Sequence, residues 1–192
     1  MRRLKISPDS VDSSAIAEAV AVLEDGGVII YPTETVYGLG ACISSEKAVK
    51  RVYAIKKRDE SKPLSIALSA VSEISRYAKL KSAGVYAGMP GLEFIEKNLP
   101  GPFTVVLEKK KTVPDYVCKK TVGIRIPEYA CIRKIIELAG PITSTSANVS
   151  EQTPPVSAED VDIEADLLLD GGRCRYGRPS RVIDLVAGKE LR

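Results

Sequence analysis

Four short stretches of the chain concentrate the residues that could do chemistry, and each lies near the end of a predicted strand or helix. They are Thr-Glu-Thr-Val-Tyr at 33–37, Lys56-x-Arg58, the pair Thr121 and Arg125, and Thr-Ser-Thr-Ser-Ala-Asn at 143–148. Lysine and arginine neutralise phosphate charge, and arginine does so with a bidentate fork. Serine, threonine and asparagine supply short, directional hydrogen bonds to phosphate, ribose or carboxylate groups. Together these residue types favour the binding of a nucleotide.

Each of these stretches also has an ordinary structural explanation. Runs of serine, threonine and asparagine commonly form turns, and Lys-x-Arg at a helix end complements the helix dipole. The sequence has no G-x-x-x-x-G-K-[ST] phosphate-binding loop. It also contains no histidine, which is the usual general base near neutral pH. Any catalysis must therefore rely on carboxylates, lysine, arginine, hydroxyls, backbone dipoles or a bound metal ion.

The composition is that of a globular protein with one domain. The chain has 192 residues, of which 44% are hydrophobic and 28% charged, and this size suits a single domain over residues 1–192. No apolar run approaches the ~20 residues of a transmembrane helix, and no long apolar segment follows the basic N-terminus as in a secretory signal. We therefore expect a cytoplasmic protein.

The cysteines and the basic residues narrow the function classes further. Four cysteines without a C-x-x-C pair, in a chain without histidine, make a zinc site and a disulfide scaffold poor explanations, and we expect them to be buried. Basic residues cluster at 56–58, 109–111, 119–120 and 173–181. A solvated surface explains any one cluster, whereas several that meet would create a field for phosphates. With aromatic residues at 5% and no tryptophan, a base-stacking platform is poorly supported.

The elements that must position these residues alternate between helices and strands. Side-chain patterns predict helices at 13–25, 44–55, 129–139 and 160–166, with two or three short helices within 71–98. Short apolar runs predict strands at 28–31, 64–68, 104–107, 122–126, 142–146, 167–169 and 181–185. We expect Asp12 or Ser13 to cap the first helix and Gly26-Gly27 to end it.

The order of these elements predicts the fold class. Because some strands follow one another without a helix between them, we expect an α/β fold of the α+β mixed kind. Its core would be a twisted, mostly mixed or antiparallel open sheet with helices packed on it.

The stretch from Val28 to Gly40 is the segment around which the site is expected to assemble. Val28–Tyr31 predicts a buried strand, and Pro32, which has no N–H group, stops its pairing. The following residues are expected to form a loop that Gly38 and Gly40 close. An α/β protein commonly places ligand chemistry at such a loop, although an ordinary strand-to-helix connection explains the local pattern equally well.

Five sequence blocks together resemble the YrdC-type threonylcarbamoyl-AMP synthase family. They are YPTETVYGLG at 31–40, KKR at 56–58, PGPFT at 100–104, VGIRIP at 122–127 and STSANVS at 144–150. The resemblance runs from about residue 10 to the C-terminus. It implies a synthase that joins L-threonine, bicarbonate or CO₂, and ATP into threonylcarbamoyl-AMP and releases pyrophosphate, in a positively charged concave cavity. Separate proteins would then use this product to modify the adenosine next to the anticodon of tRNA.

The resemblance also implies roles for residues of this chain. The catalytic set would be Lys56, Arg58, Ser146 and Asn148. ATP would be bound by Lys56, Arg58, Lys62, Thr121, Asn148 and Arg192, and threonine by Thr35, Arg125, Ser146 and Ser180. Mg²⁺ would accompany ATP and be held mainly by its phosphates, so that no protein metal site is expected. Lys56 and Arg58 are expected to be exposed to the cavity, so that alanine at either position would impair turnover with little loss of fold.

Three positions depart from the family pattern. Leu99 replaces a common aromatic residue before Pro-Gly-Pro, which indicates a packing change. Ala67 stands where a histidine is frequent, and Val156 where a threonine is frequent, so one threonine contact and one ATP contact lack the family's side chain. The resemblance implies a synthase domain alone, and we expect no additional C-terminal domain of the kind that some relatives have.

Two other functions stay open on the sequence. One is a module that binds double-stranded RNA or tRNA without robust synthase activity, which the basic clusters permit. The other is an enzyme that handles adenylate or carbamoyl groups with a different amine acceptor. An RNA-binding module would need basic residues, but it would not need Thr35, Ser146 and Asn148 together.

Overall fold

The computed structural model describes residues 1–7, 9–10 and 13–192, and within these ranges twelve strands and five α-helices are present. The strands are β1 (Arg2–Lys5), β2 (Ile29–Tyr31), β3 (Gly38–Gly40), β4 (Ser65–Ala67), β5 (Val85–Tyr86), β6 (Met89–Pro90), β7 (Phe103–Glu108), β8 (Thr121–Arg125), β9 (Ile142–Ser146), β10 (Leu167–Asp170), β11 (Arg181–Asp184) and β12 (Lys189–Glu190). The helices are α1 (Ser13–Glu24), α2 (Glu46–Ile55), α3 (Ile74–Tyr77), α4 (Gly91–Asn98) and α5 (Ala130–Ala139). Short 3₁₀ turns cover Val71–Glu73, Leu80–Ser82 and Ala158–Asp160.

Ten of these strands form one mixed sheet in the order β1-β10-β2-β3-β9-β4-β8-β7-β11-β12. The pairs β1–β10, β10–β2, β4–β8 and β7–β11 are parallel, and the remaining neighbours are antiparallel. Strands β5 and β6 pair separately as a small hairpin. The predicted mixed α/β architecture is therefore confirmed. None of the helices in the described part of the chain is long and apolar enough to cross a membrane.

The apolar core lies on both faces of the sheet, and β2 shows how the sequence achieves this. Ile30 belongs to the cluster that includes Val49 and Val52 of α2, whereas the adjacent Ile29 belongs to the cluster with Ile16 and Ile132 from α1 and α5. Successive strand residues point to opposite faces, so a continuous apolar run is what a strand covered on both faces requires. Full burial of each such side chain contributes about 1.5–3 kcal/mol.

The segment predicted as a loop out to Gly40 differs in the structure, because Gly38–Gly40 form strand β3. This strand runs antiparallel to β2, with Tyr31 opposite Gly38 and Ile29 opposite Gly40. Glycine is uncommon in strands, so the pattern resembles a loop. Here the pairing requires glycine, because a Cβ atom on Gly38 would lie 2.7 Å from the Tyr31 ring, and one on Gly40 would lie 2.9 Å from it.

Replacing Gly38 with alanine is therefore expected to lower the free energy of unfolding by about 1–3 kcal/mol, the usual cost of overpacking. Urea unfolding would measure the change. Adding Tyr31→Leu should make the alanine substitution less costly, because the ring that the new methyl group meets is then absent. An equal cost of Gly38→Ala in the presence and absence of the ring would contradict this explanation of the glycine.

The remaining predicted elements agree with the structure, apart from one helix and four short strands. Strands β5 and β6 lie within 71–98, where only short helices were predicted. The helix predicted at 160–166 is wrong: only the 3₁₀ turn Ala158–Asp160 forms, and the Asp160 carboxylate accepts hydrogen bonds from the Ser157 backbone N–H and hydroxyl, at 2.9 and 2.8 Å. Such local bonds compete with helix formation. Strands β1 and β12 had no predicted counterpart, since both edge strands carry the charged residues that protect sheet edges.

The predicted helix ends and cysteines can be compared in the same way. Helix α1 ends at Glu24, and Gly26 follows with φ of 75°, as a glycine after a helix commonly does. Its predicted cap, the side chain of Asp12 or Ser13, lies outside the described residues. The four cysteines are buried and free, which confirms their predicted structural role.

Candidate functional site

A polar cavity of about 380 Å³ lies where the β2–β3 loop, the segment after α2, the end of β9 and the last residues of the chain meet. Seven predicted site residues line it: Lys56, Arg58, Arg125, Ser146, Asn148, Ser180 and Arg192. The four cationic groups among them come from three parts of the sequence. The structure therefore brings together residues that lie up to 136 positions apart, from Lys56 to Arg192.

Three predicted site residues are outside this lining. Thr121 begins β8 whereas Arg125 ends it, about 13 Å away along the strand. The predicted contact of Thr121 with ATP stays a prediction. Lys62 is exposed and forms an ion pair with Glu151 at 3.3 Å, which places it at the rim. Thr35 is fully buried and contacts Arg125 rather than the cavity.

Arg125 is held by three consecutive residues of the β2–β3 loop. Its Nη2 donates to Thr33 Oγ1 at 3.1 Å, to Glu34 Oε1 at 2.7 Å and to Thr35 Oγ1. Arg125 is 6% exposed, and its Nε has no hydrogen-bond partner. A buried donor without a partner costs about 1–3 kcal/mol. The loop therefore fixes one side of the guanidinium and leaves Nε as an unpaired donor in the wall of the cavity.

Lys56 corrects the expectation that this side chain is exposed, because only 2% of the residue is accessible. The residue follows the last turn of α2, and its Nζ donates to the backbone carbonyls of Ser146 and Asn148 at 2.5 and 2.7 Å. The Ser150 N–H in turn donates to the Lys56 carbonyl at 2.8 Å. Burial, with the nearby charge of Arg58 as a second cause, lowers the pKa of Lys56 to about 8. Lys56 thus joins α2 to the loop after β9.

The loop after β9 presents two further unpaired polar atoms. Asn148 Nδ2 donates to the carbonyls of Val149 and Gln152, both at 2.8 Å, and this leaves Oδ1 without a partner. The Ser150 hydroxyl is also unpaired. Of the four buried side-chain atoms without a partner in the described residues, three belong to side chains that line this cavity. Because buried polar groups are rarely unpaired, this concentration marks a ligand-binding site.

The end of the cavity near Arg125 also contains hydroxyls and a second guanidinium. The hydroxyls of Thr104 and Ser180 lie 2.8 Å apart, and Arg192 Nε donates to the Ser180 carbonyl at 3.3 Å. Burial and the proximity of Arg125 both lower the pKa of Arg192. Glu34 balances only one of these two arginine charges. This end of the cavity is therefore suited to an anionic group such as a carboxylate.

Several cavity residues had no predicted role, and the sequence carried a signal for most of them. Thr33 is in the block at 31–40 with Thr35, and Ser150 ends the block at 144–150. Glu34 belongs to the first block too, and it contacts the cavity residue Arg125 without lining the cavity itself. Thr104 is the last residue of the block PGPFT. Ser65 also lines the cavity, but nothing in its sequence context distinguishes it from an ordinary strand serine.

The three departures from the family pattern have simple structural settings. Leu99 is buried and packs in the core cluster that contains Phe94, which supports a packing change. Ala67 is fully buried in the cluster on the α1–α5 face. The Val156 carbonyl accepts the Cys174 N–H at 2.7 Å. Neither Ala67 nor Val156 lines the cavity. These two side chains therefore do not supply the threonine contact and the ATP contact that the family's residues at these positions would make.

Comparisons with known proteins agree with the fold. The Sua5/YciO/YrdC family model, described as "Telomere recombination", matches residues 21–192. The human protein named threonylcarbamoyl-AMP synthase is 35% identical, over 92% of this chain and 65% of that protein. The structure of Pyrococcus abyssi Sua5 complexed with L-threonine superimposes with a TM-score of 0.81 at 33% identity, over 95% of this chain and 53% of that chain.

Escherichia coli YciO is similar to this chain over nearly its whole length. Its crystal structure matches with a TM-score of 0.83 at 27% identity, over 100% of this chain and 94% of that chain. The chain therefore spans nearly all of YciO, about two thirds of the human relative and about half of P. abyssi Sua5. The matched residues, the sheet and the cavity lead to one conclusion: this chain belongs to the Sua5/YciO/YrdC family.

Proposed function

We propose that this chain is an L-threonylcarbamoyladenylate synthase, a nucleotidyltransferase that uses L-threonine, bicarbonate or CO₂, and ATP. The observation that carries the proposal is the convergence of Lys56, Arg58 and Arg125 on one cavity, whose lining has three unpaired polar atoms, one of them the Arg125 Nε. The relatives support it: the human protein is named for this product, and the P. abyssi structure contains L-threonine.

The proposed reaction requires positioning and charge stabilisation more than general-base chemistry, which suits a chain without histidine. The unprotonated amine of threonine attacks CO₂, and after loss of a proton to solvent it becomes a carbamate. A carbamate oxygen then attacks the α-phosphorus of ATP in line, the bond to the bridging oxygen breaks, and pyrophosphate leaves with its electron pair. Lys56 and Arg58 would offset the charge on the departing pyrophosphate.

The other cavity residues would orient the two substrates. Arg125 would bind the threonine carboxylate through Nε, and Ser180 would bind the same substrate. Asn148 Oδ1 can accept hydrogen bonds from the amino or hydroxyl groups of the nucleoside. Ser146 is two residues away in the sequence, and its hydroxyl would bind either substrate. Arg192 would bind near the nucleotide. The roles of Lys62, Thr121 and Thr35 in direct substrate binding stay predictions.

We also propose that Mg²⁺ enters together with ATP. The charged side chains lining the cavity are cationic apart from Glu151, so this donor set fits the phosphates rather than a metal ion. Mg²⁺ usually keeps several waters and is held by phosphate oxygens. Bound in this way, it would supply further charge neutralisation at the phosphates, while the chain itself binds and aligns the triphosphate.

The wider setting follows from the product. We propose that residues 1–192 act as one cytoplasmic synthase domain, and that other proteins transfer the threonylcarbamoyl group to the adenosine next to the anticodon of tRNA. The mixed anhydride of threonylcarbamoyl-AMP is reactive, so a transferase must consume it soon after release. Direct binding of tRNA or double-stranded RNA by this chain would be an additional property, carried by its exposed basic clusters.

The purified protein is expected to release pyrophosphate from ATP in the presence of L-threonine, bicarbonate and Mg²⁺. A coupled phosphate assay would measure the rate, with reactions lacking threonine and reactions with L-valine as controls. We expect release that depends on threonine and bicarbonate. Binding of tRNA by folded protein that releases no pyrophosphate would instead favour an RNA-binding module, and release with an unrelated amine in place of threonine would favour a different acceptor.

A further inference from the structure

Glu34 lies behind the cavity wall in contact with Arg125, and it is the one completely buried carboxylate among the residues that the structure describes. The reaction does not explain its role. Its Oε1 accepts a hydrogen bond from Arg125 Nη2 at 2.7 Å, and its Oε2 accepts the backbone N–H of Glu128 at 3.0 Å. Burying an ion pair costs several kcal/mol per ion before their attraction offsets it, so such a pair is weak evidence for stability. The presence of a buried carboxylate at this position therefore requires an explanation other than stability.

The geometry around Arg125 supplies that reason. Glu34 and its two neighbouring threonines all accept hydrogen bonds from the same atom, Nη2. The guanidinium is planar, so fixing Nη2 also fixes the direction of Nε. Of the three acceptors, Glu34 is the only charged one, and hydrogen bonds to charged groups are roughly twice as strong as neutral ones. Glu34 therefore contributes most to the orientation of Arg125.

The second oxygen of Glu34 determines where the carboxylate itself lies. Glu128 belongs to the segment between β8 and α5, three residues after Arg125, and its N–H holds Oε2. The Glu34 backbone carbonyl also accepts the Tyr176 N–H at 2.7 Å. Because Glu34 is held from both sides, a side chain that is one methylene shorter cannot reach Arg125 and Glu128 at once.

We propose that Glu34 is a positioning residue, which holds Arg125 so that Nε points at the carboxylate of the amino-acid substrate. This inference rests on the proposed function for the identity of that substrate. The inference distinguishes two properties of Glu34. The charge of its carboxylate balances Arg125, and its reach, which is the length of its side chain, orients the Arg125 guanidinium. Glu34→Asp keeps the charge and shortens the reach, whereas Glu34→Gln keeps the reach and removes the charge.

In both variants the KM for L-threonine is expected to rise about tenfold, which corresponds to about 1.4 kcal/mol of binding free energy. The KM for ATP should stay within about twofold, because the phosphate-binding cations Lys56 and Arg58 have no hydrogen bond to Glu34. Asp170→Asn is the matched control, since Asp170 is a buried carboxylate that pairs with the exposed Arg3 at 2.8 Å and does not line the cavity. This control should leave both KM values unchanged.

A second readout does not depend on turnover. In ¹⁵N-labelled wild-type protein, restricted rotation of the Arg125 guanidinium should give resolved Nη–H resonances, which Arg125→Lys would assign by their loss. In Glu34→Asp these resonances are expected to average or to exchange rapidly with solvent. If the wild-type protein releases no pyrophosphate while the resonances behave in this way, the proposed function fails and the positioning role of Glu34 stands.

The opposite results would overturn the inference. A Glu34→Asp variant with wild-type KM for threonine and resolved Arg125 resonances would show that charge balance alone is required. A lower kcat together with higher KM values for both substrates would point to a structural role. A Glu34→Asp protein that fails to fold although its charge is retained would point to the same role. If only Glu34→Gln fails to fold, the aspartate variant still decides the question.

Discussion

Arg58→Ala is expected to reduce kcat/KM for ATP by about 10²- to 10³-fold, the usual loss when one stabilising group of a transition state is removed. The Arg58 side chain lines the cavity, and its guanidinium donates only to the carbonyls of Lys62 and Pro63, at 3.4 and 3.0 Å. Both acceptors are uncharged carbonyl groups, so the positive charge of Arg58 remains available to the phosphates. The substitution should therefore slow the chemical step without destabilising the fold.

The melting temperature of Arg58→Ala should stay within about 2 °C of the wild-type value, because Arg58 is only half-buried and few contacts are lost. Steady-state pyrophosphate release and thermal unfolding would be measured on the same preparation. Arg76→Ala, which removes an exposed arginine outside the cavity, is the matched control for charge. Wild-type kcat/KM in Arg58→Ala, or an unfolded protein, would exclude the proposed role in charge stabilisation.

Arg58 and Lys56 show how far the sequence could predict the site. The resemblance to the synthase family predicted that both contact phosphates, and both line one cavity. The sequence indicated equal exposure, because a lysine two residues before an arginine at a helix end is normally solvated. Lys56 is buried instead, since its partners are the carbonyls of Ser146 and Asn148, 90 and 92 residues away. Local sequence contains no information on such a contact.

The strands show the same limit. The apolar runs at 122–126 and 142–146 predicted β8 and β9 within one residue, because buried strands leave a strong local pattern. The sequence does not show which end of a strand faces the cavity, and of the two predicted site residues on β8 the cavity lining includes Arg125 but not Thr121. Strand β3 was missed because its glycines are required by the ring of Tyr31 in the neighbouring strand, which is a tertiary constraint.

The affinity for ATP is expected to fall as the pH rises above 8, by up to about tenfold per pH unit. Burial lowers the pKa of Lys56 to about 8 in the free protein, so that Lys56 becomes neutral in this range. Phosphate groups favour the charged lysine and raise its pKa in the complex. Binding at pH 9 therefore requires the uptake of a proton. Lys56→Met should bind ATP more weakly at pH 7 and should show little pH dependence.

Calorimetric titration with ATP at pH 9, in two buffers of different ionisation enthalpy, would measure this proton uptake. We expect an uptake that approaches one proton for the wild-type protein and is close to zero for Lys56→Met. Arg58 is the nearby charge that also lowers the Lys56 pKa, so Arg58→Ala should shift the onset of the pH dependence upwards. Equal proton uptake in wild type and Lys56→Met would assign the titration to another group.

The same group is expected to change folding stability in the opposite direction. In the unfolded chain a lysine releases its proton near pH 10.4, so between pH 8 and 10 the unfolded state binds more protons than the folded state. The free energy of unfolding therefore increases with pH relative to Lys56→Met, by up to about 3 kcal/mol. Urea unfolding of both proteins at pH 7 to 10 would measure this difference. General alkaline unfolding would weaken ATP binding and stability together, so weaker binding combined with higher relative stability would identify Lys56 as the titrating group.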